Sequence, residues 1–207
     1  MRSGRSEAES SVLVLHEVGD VAGGDPWAAA FAQGPWRNVL APDLPGHGSA
    51  PTSAGEEYEM TDPAFVATRL FAAEGIEKVD AVVGIGVSGW SAQILAIAGR
   101  ADRLVLVNGL GDPFLNVDEL LERRMERMRV IAESTKPLAD APPTTHGDRD
   151  LAVRAAGQTE VPVLLIGADS AAHREFVETL PNATLRTTSD HDPQVIAQMV
   201  AEWSTTQ

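Results

Sequence analysis

The stretch Ala81-Val82-Val83-Gly84-Ile85-Gly86-Val87-Ser88-Gly89-Trp90-Ser91-Ala92 decides the fold of this chain. It lies partly inside an apolar run, Val79–Ile85, that has no polar alternation, as is typical of a strand covered on both faces. A glycine-containing turn and a stretch with helical spacing, Ser88–Gly99, follow that run. The sequence therefore predicts a buried strand, a tight turn and a helix in direct succession.

The same alternation continues along the whole chain. Further apolar runs predict strands at Ser11–His16, Asn38–Ala41, Leu104–Val107, Val161–Ile166 and Ala183–Arg186. Further helices are predicted at Asp62–Glu74, Val117–Glu133, Asp148–Gly157, Ala171–Leu180 and Asp192–Trp203. Strands that alternate with helices favour a parallel sheet with helices on both faces, connected by right-handed crossovers. We predict an α/β fold with a mostly parallel, doubly wound sheet of about six strands.

The composition describes a soluble globular chain and excludes several classes of protein. Of the 207 residues, 43% are hydrophobic and 22% are charged, which fits one domain with its own core. The absence of cysteine excludes disulfides, thiolate metal sites and a thiol nucleophile. The formal net charge of -14 disfavours nucleic acid and anionic membranes as partners, so we expect a small-molecule substrate or ligand. No apolar run is long enough to span a bilayer and Met1–Ser10 is polar, so we expect a cytoplasmic protein.

Polar residues follow the predicted strands, at the edge where open parallel sheets bind their ligands. The residues of this kind are His16, Glu17, Asp43, His47, Ser88, Asp112, Asp169, Asp190 and His191. The last two strands are followed by Asp169 and His191, and we interpret this pair as a candidate acid–base dyad.

At these positions the sequence resembles the α/β-hydrolase superfamily from Val12 onward. The strand that ends in His16 is similar to the one that precedes the family's oxyanion loop. The segment Pro42–Ser49 is similar to the family's Asp-x-x-Gly-x-Gly-x-Ser turn, and Val82–Ala92 is similar to its strand, nucleophile elbow and helix.

The resemblance implies the α/β-hydrolase fold in a single domain, residues 1–207. Residues 10–110 form its N-terminal half with the elbow, 114–160 a lid or irregular insertion, and 161–207 its C-terminal half with the acid and the histidine. The predicted helix Val117–Glu133 is either that lid or a solvated surface helix.

The nucleophile departs from the pattern Gly-x-Ser-x-Gly-Gly that the family carries at its elbow. An ungapped match places Gly86 at the serine, with Ser88 and Gly89 on the last two glycines. A shifted match restores Ser88 as the nucleophile, but it puts Trp90 where the elbow needs a small residue. Outside catalysis, Ser88 suits the N-cap of the following helix.

The oxyanion loop departs as well, because Glu17 stands where family members usually carry glycine. A carboxylate there would oppose the charge that develops in acyl transfer. Glu17 either turns to solvent or acts as a base or binding group. The remaining candidate donors for an oxyanion are the backbone amides of Val87 and of Glu17 or Val18.

The resemblance implies that Asp169 orients His191, as the third member of a triad does. Asp112 is a second candidate for the acid. We expect His16 and His47 to be structural, and His146 and His173 to lie on the surface.

No metal-binding motif is present, and we expect no metal or cofactor. The glycines of Gly84–Gly89 spell GxGxxG, but they follow the third predicted strand, whereas a dinucleotide motif normally follows the first.

Three functions follow from these features. The first is a hydrolase of a small ester- or thioester-like substrate with an atypical nucleophile, using Ser88, Asp169 and His191. The second is a non-hydrolytic enzyme, of lyase or isomerase type, that uses His191 and Asp169. The third is a catalytically dead member that binds a ligand.

Overall fold

The computed structural model describes residues 10–17, 20, 22–51, 61–108, 158–169, 171–180 and 182–206. The strands are β1 (Ser11–Leu15), β2 (Asn38–Leu40), β3 (Ala81–Ile85), β4 (Leu104–Val107), β5 (Val163–Gly167) and β6 (Ala183–Thr187). The helices are α1 (Asp25–Phe31), α2 (Asp62–Glu74), α3 (Gly89–Ile97), α4 (Ala171–Thr179) and α5 (Pro193–Ser204). A 3-10 turn, Gly86–Ser88, joins β3 to α3.

All six strands form one sheet in the order β2-β1-β3-β4-β5-β6, and every pairing is parallel. The chain builds outward from β1 in one direction to β2 and then in the other direction from β3 onward. The carboxyl ends of β1 and β3 therefore meet at the point where the strand order reverses, which is where open α/β sheets bind ligands.

The core consists of one layer on each face of the sheet. Side chains that alternate along β1 divide between the layers: Leu13 and Leu15 pack on the face covered by α2 and α3, and Val12 and Val14 on the face covered by α1 and α5. Both faces of the inner strands are buried, because their runs of valine, leucine and isoleucine have no polar alternation.

Close packing of α3 on β3 explains the glycines at positions 84 and 89. A Cβ at Gly84 would lie 2.5 Å from the Cα of Gly89 and 2.8 Å from the Cβ of Ala92. Only glycine at position 84 and small residues opposite it let this helix start directly over the strand.

The predicted parallel α/β sheet is confirmed, with differences in detail. The short helix α1 was not predicted, although Asp25 and Pro26 give it the same start as Asp62 and Pro63 give α2. The predicted helices Val117–Glu133 and Asp148–Gly157, and the insertion up to residue 157, lie outside the described residues. The division into one domain with a lid stays a prediction.

Candidate active site

The candidate site lies where β1 and β3 separate. Their backbone pairing ends at Leu15 and Gly84. Beyond that pair, the two chain segments are joined by two hydrogen bonds from the turn Gly86–Ser88 to His16 and Glu17. This junction brings together Glu17, Gly86, Val87 and Ser88, four of the residues singled out from the sequence.

Gly86 is the first residue of the turn, and its backbone has φ +55°. A residue with a side chain rarely adopts this conformation, and here a Cβ would also overlap the carboxylate of Glu17. The carboxylate therefore occupies the volume that a side chain at position 86 would need.

The carboxylate of Glu17 points towards the turn Gly86–Ser88, although the sequence leaves a solvent-facing orientation open. Its Oε1 accepts a hydrogen bond of 3.0 Å from the backbone amide of Val87, the first residue after Gly86. In the resemblance to the α/β-hydrolases, that amide is a candidate oxyanion donor. In this structure it is bound to a carboxylate of the same chain, and Val18 lies outside the described residues.

Ser88 is fully buried, and its hydroxyl donates a hydrogen bond of 2.6 Å to the backbone carbonyl of His16. The structure assigns it no side-chain capping bond at the start of α3. Its nucleophilic role stays a hypothesis, and this geometry weighs against it. An attacking hydroxyl must reach the substrate and give its proton to a base, whereas this one is inaccessible and donates to a carbonyl.

His16 is buried and holds the segment that carries Glu17. Its Nε2 accepts from the backbone amide of Leu44 at 3.0 Å, so Nδ1 carries the proton and donates to the carbonyl of Glu17 at 2.9 Å. Burial lowers the pKa of His16, an effect that the hydrogen bond to Glu17 opposes only in part and that nearby His47 reinforces. A neutral ring is the form that can accept from Leu44.

His47 is also buried, with its ring centroid 5.1 Å from that of His16 and its Nδ1 2.9 Å from the carbonyl oxygen of Pro45. Both histidines therefore belong to the loop framework, as the sequence predicts.

Asp43 ties the loop after β1 to the turn after β2. It accepts from the amide of Gly24 at 2.9 Å and from the amide and hydroxyl of Ser49 at 2.7 and 2.9 Å. Desolvation acts to raise the pKa of Asp43, but these hydrogen bonds together outweigh it and lower the pKa. A Cβ at Gly48, where φ is +50°, would overlap this carboxylate, which explains the glycine.

Asp169 and His191 lie at the same edge of the sheet but are not joined. Asp169 follows β5, its side chain is 59% exposed, and it accepts a hydrogen bond of 2.6 Å from Arg174. His191 is exposed in the segment between β6 and α5. Within the part of the chain that the structure describes, no hydrogen bond links these two residues. The triad with Ser88 stays a prediction that this geometry does not support.

The prediction that His173 lies on the surface is wrong. The side chain is 7% exposed, its Nδ1 lies 2.6 Å from the carbonyl oxygen of Ala168, and its ring packs under Gly167. The spacing of His173, Phe176 and Leu180 places all three on one helical face, and that signal could have identified the position as buried. Asp112 and His146 lie outside the described residues.

Neither a metal centre nor a membrane span emerges from the described ranges. They contain no group of three or more histidine, cysteine, aspartate or glutamate side chains that could hold an ion. None of the helices described is long and apolar enough to cross a bilayer.

Solved structures similar to this one have low sequence identity and support the fold alone. The meta-cleavage product hydrolase of Pseudomonas fluorescens IP01 matches with a TM-score of 0.69 and 16% identity, over 95% of this chain and 91% of that chain. The enol-lactonase of Burkholderia xenovorans LB400 matches with a TM-score of 0.63 and 20% identity, over 98% and 92%. The thioesterase domain from the curacin biosynthetic pathway matches with a TM-score of 0.65 and 16% identity, over 96% and 92%.

Comparison with curated proteins gives no match in sequence. The sequence profile of the alpha/beta hydrolase family, in contrast, matches residues 12–206, which is nearly the whole chain. With the parallel sheet, the strand order and the turn after β3 described above, this match is decisive: the chain belongs to the alpha/beta hydrolase family.

Proposed function

We propose that this protein is a hydrolase of a small ester- or thioester-like substrate in which Glu17, rather than a serine, carries the chemistry. The observation that carries the proposal is the carboxylate of Glu17 over Gly86, bound to the amide of Val87. It occupies the volume that a side chain at position 86 would need, at the turn where the family's nucleophile resides.

In this proposal Glu17 acts as a general base on water. The water oxygen attacks the substrate carbonyl carbon while its proton passes to the carboxylate of Glu17. The carbon–oxygen or carbon–sulfur bond of the substrate then breaks, and the leaving alkoxide or thiolate takes up the proton that Glu17 holds. No covalent acyl-enzyme forms, so no nucleophilic side chain is needed at position 86.

The hydrogen bond from Val87 couples the two halves of this step. While Glu17 is ionised, the amide of Val87 stabilises the carboxylate. When Glu17 takes the proton, its oxygen becomes a weaker acceptor as negative charge appears on the substrate oxygen. A turn of the neutral side chain away from Val87 then frees the same amide to donate to the substrate oxyanion.

The substrate class is proposed from the family and from similar structures. Two of those structures carry the names enol-lactonase and thioesterase, and both names describe hydrolysis at an acyl carbon. A carboxylate base without an acylated serine suits small, activated acyl groups, because water is a weak nucleophile and must attack the substrate carbonyl directly.

The test compares Glu17→Gln with a matched control, Glu77→Gln, which makes the same change at an exposed position before β3. Hydrolysis of p-nitrophenyl acetate and of an N-acetylcysteamine thioester is measured for each. We expect Glu17→Gln to lower kcat/KM by about 10²–10⁴-fold, the usual contribution of a general base, and Glu77→Gln to match the wild type. Equal rates in both variants would refute the role of Glu17.

A fluorophosphonate probe separates this proposal from the serine triad. The probe labels a serine that a base and an oxyanion hole activate. We expect no adduct by intact mass, because Ser88 is buried and donates to His16. An adduct that maps to Ser88 would restore the triad with His191 and Asp169.

Ligand binding without turnover is the second candidate, and the occupied amide of Val87 favours it. A site whose oxyanion donor is bound by the chain's own carboxylate is poorly suited to acyl transfer unless Glu17 moves. Saturable binding of the two probe substrates without product would support this candidate over hydrolysis.

A further inference from the structure

We infer that Ser88 is a positioning residue: its buried hydroxyl, through the backbone of His16, holds the carboxylate of Glu17 against the amide of Val87. The catalytic consequence rests on the function proposed above, but the positioning itself can be measured without any turnover.

The argument begins with the end of the strand pairing. Backbone pairing between β1 and β3 stops at Leu15 and Gly84, so no ladder hydrogen bond fixes the next residues of the two segments against each other. The first link beyond that point is the hydrogen bond of 2.6 Å from the Ser88 hydroxyl to the His16 carbonyl. The second is the bond of 3.0 Å from the Val87 amide to Glu17.

These two links come from consecutive residues of one turn and go to consecutive residues of one strand end. The side-chain hydroxyl of Ser88 donates to the main-chain carbonyl of His16, and the main-chain amide of Val87 donates to the side-chain carboxylate of Glu17. The first bond fixes the separation of the two segments, and that separation decides whether the glutamate side chain reaches Val87. A glutamate has several rotatable bonds and otherwise adopts many conformations.

The ring of His16 restrains the other side of the same segment. Because Nε2 accepts from Leu44, Nδ1–H points to the carbonyl of Glu17 and holds its peptide group. The backbone that carries Glu17 is therefore fixed from the turn after β3 by Ser88 and from the turn after β2 by Leu44.

If the Ser88 hydroxyl only met its own need for a hydrogen-bond partner, its removal would leave the hydrogen bond between Val87 and Glu17 unchanged. The experiment therefore records the amide proton shift of Val87 by ¹⁵N–¹H NMR in the full-length protein. Glu17→Ala defines the shift of an amide that has lost the carboxylate. We expect Ser88→Ala to move the Val87 resonance most of the way to the Glu17→Ala position.

The matched control is Ser91→Ala, which removes another fully buried serine hydroxyl from α3. We expect it to leave the Val87 shift at the wild-type value. A Val87 resonance that stays at the wild-type position in folded Ser88→Ala would overturn the inference, as would an equal displacement in Ser91→Ala.

Ser88→Cys covers the case in which Ser88→Ala does not fold. The thiol keeps a donor of similar size but weaker strength, so we expect the Val87 shift to lie between those of the wild type and Glu17→Ala. An unchanged shift in the folded cysteine variant would equally overturn the inference.

Kinetics with p-nitrophenyl acetate then connect positioning to chemistry. We expect Ser88→Ala to lower kcat with little change in KM, because the base is misplaced while the substrate site is intact.

Separate measurements can refute the proposed function and the positioning role. Full activity in Glu17→Gln would remove the role of Glu17 as base, whereas the Val87 shift in Ser88→Ala decides the positioning role alone.

Discussion

Two regions at the same edge of the sheet differ sharply in how they hold their polar groups. At the junction of β1 and β3, Glu17, Ser88 and the ring of His16 are linked by hydrogen bonds to backbone groups, and the last two side chains are buried. At the junction of β5 and β6, Asp169 and His191 are exposed, and Asp169 pairs with a surface arginine.

The difference shows that a place at the carboxyl end of a strand does not by itself fix the direction of a side chain. Both regions carry residue types that the family uses, and both lie at carboxyl ends of strands. Only the first has buried partners that fix the direction of its side chains, whereas exposed ion pairs are weak and are screened by salt. The β1–β3 junction is therefore the region whose side-chain geometry suits the function proposed above.

The largest effect on stability is expected from Gly86→Ser, which challenges the packing of that junction. The new Cβ would overlap the carboxylate of Glu17 and would adopt a φ of +55°, so we expect a loss of about 2–4 kcal/mol. Urea unfolding measures the loss.

Gly75→Ser is the matched control, because Gly75 has a φ of +67° and nothing lies within 4 Å of its Cβ position. It reports the backbone cost without a collision. Combining Gly86→Ser with Glu17→Gly completes a double-mutant cycle, in which we expect a coupling of about 1–3 kcal/mol. Additive losses would mean that the carboxylate does not occupy this volume.

A smaller effect is expected from pH, through His16. Its pKa in the folded state is lowered below the ordinary value of 6.5 by burial, so the unfolded chain binds the proton more readily. The stabilising contribution is complete above about pH 6.5. It is lost as the pH falls towards the folded-state pKa, with a slope of at most about 1.4 kcal/mol per pH unit.

Unfolding free energies between pH 5 and 7.5 check this expectation, with His16→Gln as the comparison. The variant lacks the titrating ring, so its stability should vary less with pH over this window, whatever its absolute value. The same pH slope in both proteins would assign the effect to another group.

The smallest effect is expected at the β5–β6 junction. Arg174→Ala removes the surface partner of Asp169, and we expect a change of about 0.2–1 kcal/mol that diminishes in high salt. Thermal or urea unfolding at two salt concentrations measures it.

Asp169→Asn provides the kinetic counterpart and should leave hydrolysis of p-nitrophenyl acetate near the wild-type rate. A large loss of turnover would return Asp169 to the catalytic site.

The sheet was predictable because its signals are local. Valine-, leucine- and isoleucine-rich runs predicted β3 at Val79–Ile85, and the strand is observed at Ala81–Ile85. The pair Asp62-Pro63 marks the first turn of α2, whose N-cap is Thr61. The helix α1 was missed because it has only seven residues, four of them alanine or phenylalanine, and lies among glycines.

The candidate site was predictable in its membership but not in its geometry. The sequence identifies Glu17 and Gly86 as departures from the family pattern at separate places in the chain. Their contact depends on the separation of two loops beyond the end of strand pairing, which no local pattern encodes. For the same reason the sequence leaves Glu17 open between solvent and site, whereas the structure turns it towards Val87.

The contact between Glu17 and Gly86 also constrains how this protein can change over generations. A serine introduced at position 86 meets the carboxylate of Glu17, and a glycine introduced at position 17 leaves no side chain at either of the two positions. A serine at position 86 therefore fits only when position 17 also changes, and a glycine at position 17 alone removes the base proposed above. The residues at positions 17 and 86 are therefore coupled, and a serine at position 86 requires a second substitution at position 17.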